Sequence, residues 1–461
     1  MMNLGKNVNR VEVSRAPLWM AAALCFSIHA LAAQTAGIAP GQLVERLEVR
    51  ADSSQSYAVY LPKSYSAGVK WPIFYCSDPG ARGSLPVRLF KNGAEKYGYI
   101  VVGSNNSRNG PNVAISSIVQ SLWTDTHERF AVDDSRVFAA GFSGGARVAT
   151  AFGMSYKESV IGVVACSGGF PSRLSPSKDT QFAWFGTAGT DDFNNPEMQQ
   201  LDRVFASLNK PRQLALFDGS HDWPPEAVCT RAIEWMEVQS MLIGRKEKND
   251  SEIEGFYQKW KAEAEALDSA GRLYQSFAAY SQLADSFKAI KDSAEINTKL
   301  AALKTSKEVR SAVKAESELE DRQSRRSREF LEIRASMSDP DKKTEALSSL
   351  KSTIAELKKS ASRPEQSPER MLGRRMVSLF FVESSERATN EMFQKRYGDA
   401  VIDYSICVEL QPENARPHFN LAKAYYSVGD LKKAREFLKL AVDRGFSDEK
   451  ALEDFRKQLA Q

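Results

Sequence analysis

The sequence predicts a mostly parallel α/β domain followed by an all-helical domain, and three observations carry that prediction. Six short apolar runs between Pro72 and Phe217 are separated by segments of helical length, the pattern of a sheet covered on both faces. One run leads into Gly141-Phe142-Ser143-Gly144-Gly145, a glycine-flanked serine placed between a strand signal and a helix signal. Beyond about residue 244 the strand signal vanishes. There Ala400 and Ala434 stand 34 positions apart (434 − 400 = 34), the period of a helical-hairpin repeat.

Taken in order, the first 33 residues read as an export signal. Lys6, Arg10 and Arg15 precede the apolar stretch Pro17 to Leu31, and Ala30-Leu31-Ala32 supplies small residues for cleavage. The stretch is short for a membrane span and carries His29, while Cys25 follows Leu24 rather than a small residue, against lipid attachment. A secreted or periplasmic location is therefore expected, with no span after cleavage. Residues 34–244 form the predicted α/β domain. Leu47 to Arg50 and Tyr57 to Leu61 alternate apolar and polar, as half-buried antiparallel strands do. The runs Pro72–Cys76, Tyr99–Gly103, Val137–Gly141, Ile161–Ala165, Phe182–Phe185 and Leu214–Phe217 are nearly continuous, as buried parallel strands are.

The polar stretch Ile243 to Asp250 then leads into residues 245–380, rich in Ala, Glu, Lys, Leu and Ser. Leu347, Leu350, Ile354 and Leu357 line one helical face. Ser338-Asp339-Pro340-Asp341 and Ser362 to Pro368 are expected helix breaks, and Lys304 to Arg328 a solvated helix. Residues 381–461 carry the repeat. Tyr397-Gly398-Asp399-Ala400, Tyr404 and Pro412 are followed by Asn420 to Tyr426, Gly429-Asp430, Ala434, Leu438 and Ala441. This segment resembles the tetratricopeptide (TPR) family, and Gly271, Ser276, Tyr280 and Leu283 hint at a degenerate copy near the linker. The resemblance implies a surface that docks a protein partner.

Composition narrows the function. The chain has 461 residues, with 62 basic and 58 acidic, so its charge suggests no nucleic-acid partner. Cys76, Cys166, Cys229 and Cys407 show no C-x-x-C spacing, and buried free thiols are expected rather than a disulfide. Nothing in the pattern calls for a metal or an organic cofactor.

A serine hydroxyl becomes a useful nucleophile only beside a base. Of the four histidines, His29 lies in the leader, His418 in the repeat, and His127 in a helix expected over residues 121–130. His221 remains, directly after the last strand-like run, where a base following the nucleophile in chain order belongs. Its carboxylate partner has two adjacent candidates, Asp191 and Asp192, on the loop leaving Phe182–Phe185. An oxyanion hole is expected from the backbone N–H of Gly144 and a second donor in Ser77 to Gly83. Pro79 lacks an N–H, leaving Ala81 or alternatively Gly80. Arg82 is read as pairing with a nearby acid. Trp184, Trp223, Phe142 and Phe193 are candidates for an apolar pocket, though core packing explains Trp184 better.

Asp134 to Val137, the Gly141–Gly145 turn, Gly186-Thr187-Ala188 and Gly219-Ser220-His221-Asp222-Trp223-Pro224 together resemble the secreted α/β-hydrolase serine esterases. The likeness is especially to the polyhydroxybutyrate depolymerase and feruloyl esterase group. The resemblance covers about residues 56–241. It implies an α/β-hydrolase fold, Ser143 as nucleophile, His221 as base, Asp192 (with Asp191 as alternative) as acid, and small or polymeric carboxylic esters as substrates. One departure stands out: that group usually has His-Gly in the oxyanion loop, where this chain has Asp78-Pro79-Gly80. Two other readings stay open, a TPR-based binding scaffold with a non-catalytic hydrolase module, and a serine peptidase of the same fold.

Overall fold

The computed structural model of the protein describes residues 38–365 and 367–460, so the leader expected over residues 1–33 lies outside the described residues. Strands β1 (Leu43–Val49) and β2 (Asp52–Tyr60) form an antiparallel hairpin at one sheet edge. β2 also pairs antiparallel with β4 (Ile100–Ser104). From there β3 (Trp71–Ser77), β5 (Val132–Phe142), β6 (Val160–Cys166), β7 (Ala183–Gly189) and β8 (Arg212–Phe217) run parallel. The spatial order is β1-β2-β4-β3-β5-β6-β7-β8. This is an α/β-hydrolase sheet.

Its two faces are covered as the apolar runs require. On one face lie α1 (Ser84–Tyr97) and α5 (Glu226–Leu242), through residues such as Phe90 and Trp235. On the other lie α2 (Ile115–Arg129), α3 (Gly144–Ser155) and α4 (Asn195–Ser207), through Leu122, Phe152 and Phe205. Every residue of β6 and β7 is buried, which explains why those runs carry no alternation. α2 starts six residues earlier than its sequence pattern suggested (121 − 115 = 6), because polar Ser116 and Ser117 mask its first turn.

The remainder is all helical: α6 (Asp250–Ser269), α7 (Leu273–Phe287), α8 (Ala294–Thr305), α9 (Lys307–Ser336) and α10 (Lys343–Ala361). Then follow α11 (Pro368–Phe393), α12 (Tyr397–Leu410), α13 (Ala415–Ser427), α14 (Leu431–Asp443) and α15 (Glu449–Ala460). Both expected breaks fall between helices, and the Ser367 side chain caps α11 by accepting from Arg370 N. Ala388, Ala400, Ala422 and Ala434 are all fully buried, and each pair stands 34 residues apart (422 − 388 and 434 − 400). The α11–α12 hairpin is thus repeated by α13–α14. Its turn holds Gly429 at φ 86°, and 34 positions earlier Lys395 takes the same left-handed backbone at φ 60°.

The change of composition near residue 244 is not a change of packing. Phe256, Trp260, Tyr280 and Phe287 of α6 and α7 belong to the same apolar core as Trp235 and Met236 of α5. Trp235 Nε1 donates to Ser286 Oγ across it at 3.0 Å. The four described cysteines are free and buried, and burial pushes the Cys166 and Cys407 thiols up to about 12. Among the described residues no helix is long and apolar enough to cross a membrane.

Candidate active site

Ser143 sits where β5 turns into α3, at φ 53° and ψ −118°. Such a backbone is strained for a residue with a Cβ, and the surroundings have to impose it. They do so by crowding. A Cβ on Gly141 would lie 2.0 Å from Gly145 O, and one on Gly145 would lie 2.1 Å from Ser77 O. Only glycine lets β3, β5 and α3 meet this closely. Ser143 N donates to Cys166 O at 2.8 Å, which ties the turn to β6.

His221 lies four residues beyond the end of β8 (221 − 217 = 4). Its Nε2 stands 3.0 Å from Ser143 Oγ and its Nδ1 2.9 Å from Asp192 Oδ1. The Asp192 side chain is fully buried and His221 is 9% exposed. Phe193 and Phe142 flank the imidazole, with ring centroids at 4.2 and 4.7 Å. Their apolar surface lowers the local dielectric, so the hydrogen bonds here are electrostatically stronger than in water. Asp192 Oδ1 also accepts from Asn194 N at 2.8 Å, while Oδ2 has no partner among the described residues.

The neighbouring Asp191 points elsewhere. Its Oδ2 accepts from Arg374 Nη1 of α11 at 2.8 Å, and it makes no bond to His221 among the described residues. His127 is bound to Trp123 O at 2.7 Å and stacks on the Trp123 ring, and His418 is bound to Pro412 O. Neither approaches Ser143. Trp184 is wholly buried and stacks on Phe205, as core packing implied.

The oxyanion side departs from expectation in an informative way. Gly144 opens α3, so its N–H has no carbonyl a turn earlier to bond and is available to an anion. Gly80 N, however, donates to Asp78 Oδ1 at 2.8 Å, and Ala81 N donates to Asp78 O at 3.1 Å. Both expected second donors are therefore engaged by Asp78, the residue that marks the departure from the esterase pattern. Burial raises the Asp78 carboxyl, but bonds from Arg82, Trp223 Nε1 and Gly80 N outweigh it and hold the group below its ordinary value. Asp78 is thus an ionised knot that fixes this loop, and Arg82 serves it as the expected acid pairing required.

Residues remote in sequence also reach the site. Arg375 and Gln323 of the helical half bond the loop carrying Asp192, and Asn109 Nδ2 donates to Glu386 of α11. No local motif announced them. A cleft of about 580 Å³ between α9, α10 and α11 is lined by Arg322, Arg326, Arg363, Glu356 and Glu369 among others, and by no residue of the α/β half. Its charges are largely matched to one another, as in Arg322–Glu369 and Arg326–Glu356.

No family model matches the chain, and no curated protein matches it. Solved structures do. S-formylglutathione hydrolase from Staphylococcus aureus is 16% identical, with 43% of this chain aligned to 99% of that one at a TM-score of 0.35. A ferulic acid esterase is 20% identical over 43% of this chain and 98% of its own, also at 0.35. A hyperthermophilic esterase from Pyrobaculum calidifontis is 12% identical over 48% and 93%, at 0.36.

Proposed function

We propose that this chain is a serine hydrolase that cleaves carboxylic esters, with Ser143 as nucleophile, His221 as base and Asp192 as the acid. One observation carries the reading: a single run of hydrogen bonds, Ser143 Oγ to His221 Nε2 and His221 Nδ1 to Asp192, joins the loops leaving β5, β8 and β7. His221 takes the Ser143 proton as Oγ attacks the ester carbonyl, and then returns it to the leaving alcohol. Asp192 holds the imidazole in the tautomer that accepts at Nε2 and offsets its positive charge. Gly144 N–H stabilises the developing oxyanion, with Ala81 or Gly80 joining if its bond to Asp78 opens. Water activated by His221 releases the acyl group. Esters rather than amides are favoured by the motif resemblance.

Residues 34–244 are read as the catalytic region and residues 1–33 as an export leader. Residues 245–380 are read as a helical brace, and residues 381–461 as TPR-like hairpins that dock a protein partner. The repeated buried alanines of α11–α14 support that last assignment.

The test is hydrolysis of short-chain p-nitrophenyl esters by the mature protein beside Ser143→Ala. We expect the substitution to lower kcat on the order of 10⁴-fold or more with the circular dichroism spectrum unchanged. A wild type that neither turns over these esters nor labels with a fluorophosphonate would reject the reading.

A further inference from the structure

The loop that carries Asp192 is held from two sides. From within the hydrolase half, Thr190 N donates to Phe217 O and Asp191 N to Gly219 O, so its N–H groups are anchored to the β8 side. Its carbonyls are held from the helical half. Arg375 of α11 donates through Nε and Nη2 to Thr190 O at 3.0 and 2.7 Å, and Gln323 of α9 donates to Phe193 O at 2.7 Å. The two residues bracket Asp192, one on each side.

That bracket matters because only one of the two Asp192 carboxylate oxygens, Oδ1, is bonded, to Asn194 N and His221 Nδ1. Oδ2 has no partner among the described residues, so the direction of the carboxylate depends on the backbone of residues 190–193. Arg375 is an unusual residue to find in that place. It is completely buried, its nearest acid is Glu316 at 3.4 Å, and its main acceptor is a neutral carbonyl. Burying a guanidinium against a neutral carbonyl carries a desolvation penalty that an apolar residue of similar volume would avoid.

The same helix reaches the opposite rim. Glu386, eleven residues and about 16 Å further along α11, accepts from Asn109 Nδ2 at 2.6 Å. The Asn109 carboxamide in turn lies directly over Gly144, where a Cβ would meet its Oδ1 at 1.8 Å. α11 thus spans from the Asp192 loop to the oxyanion side.

We propose that the helical half is a structural part of the catalytic unit, with Arg375, assisted by Gln323, acting as a positioning residue that fixes the Asp192 loop against His221. This rests on the reading of Ser143, His221 and Asp192 given above. Arg375 touches no reacting atom and acts only through Asp192.

The experiment is steady-state kinetics of the full chain on a short-chain p-nitrophenyl ester for Arg375→Met and Arg375→Lys, each alone and combined with Asp192→Asn. A displaced acid loop should lower kcat of Arg375→Met by roughly 10- to 100-fold, with KM changed less than about twofold. Arg375→Lys, which keeps one donor for Thr190 O, should recover part of that loss. In the Asp192→Asn background the Arg375 effect should disappear, because nothing remains to be positioned. Should Arg375→Met fail to fold, Gln323→Met keeps the side-chain volume and should show a smaller loss with the same dependence on Asp192. An unchanged kcat, or an equal loss with and without Asp192→Asn, would overturn the proposal. If the wild type is inactive and unlabelled by a fluorophosphonate, this proposal and the hydrolase reading fail together. If it is active and Ser143→Ala is not, while the Arg375 and Gln323 variants are indifferent, only this proposal fails.

Discussion

Asp191 and Asp192 are chemically identical and adjacent, and the fold gives them different tasks. Consecutive residues on a tight loop project in different directions, so only one can face the imidazole. Asp192 does so, at 2.9 Å, while Asp191 pairs with Arg374, whose side chain is 43% exposed. We therefore expect Asp192→Asn to lower kcat by about 10⁴-fold, and Asp191→Asn to stay within about tenfold of wild type. Parallel kinetics on the same ester would check this, and equal losses would place the acid role on neither residue alone. The sequence narrowed the acid to these two, since a carboxylate had to follow Ser143 and precede His221. Chain order alone did not separate them, because the choice depends on the turn taken by one loop; only the esterase resemblance favoured Asp192.

At the scale of elements, α9, α11 and α12 are joined by buried charge. Arg334 of α9 pairs with Asp403 of α12 at 2.6 Å and reaches Glu391 of α11 at 3.3 Å. Arg387 and Arg396 approach from the other sides. Burial, followed by the negative Asp403, pushes the Glu391 carboxyl up from 4.5 to about 7, against the opposing pull of Arg334. A raised carboxyl means that the folded chain binds a proton which the unfolded chain has already lost. The stability that this contributes is complete below about pH 4.5 and disappears as pH rises through about 7. Melting temperatures measured from pH 5 to pH 8 should thus fall more steeply for the wild type than for Glu391→Gln, and parallel curves would reject the assignment. The neighbouring α10 was legible from Leu350, Ile354 and Leu357, which are buried although Leu347 is exposed, and its ends from the proline breaks. The charge network was not, since Arg334 and Asp403 stand 69 residues apart and each reads as solvated surface when taken alone.

The whole molecule is more continuous than its composition suggests. A strand-rich half and a helix-rich half share one apolar core through Trp235, Trp260 and Phe287, and they share the candidate site through α11. Because α11 contacts both rims, through Arg375 and Glu386, we infer that it hinders a flat or extended substrate more than a compact ester. We expect soluble short-chain esters to be hydrolysed and suspended polyester particles to be left intact, judged by acid release from each. Comparable rates on both would mean that α11 does not restrict entry.

By itself the sequence determined the parallel sheet and the glycine-crowded serine turn, and it singled out Ser143 and His221 as the candidate pair. It also determined the 34-residue helical period. These follow from local patterns, namely apolar runs, glycines where chains crowd, and the order of residues along strands. Only the tertiary structure decided which aspartate meets His221, that Asp78 occupies the N–H groups of Gly80 and Ala81, and that Arg375 holds Thr190. Each of those depends on where a side chain points once distant segments have packed, and a chain separation of 185 residues between Arg375 and Thr190 leaves no local trace.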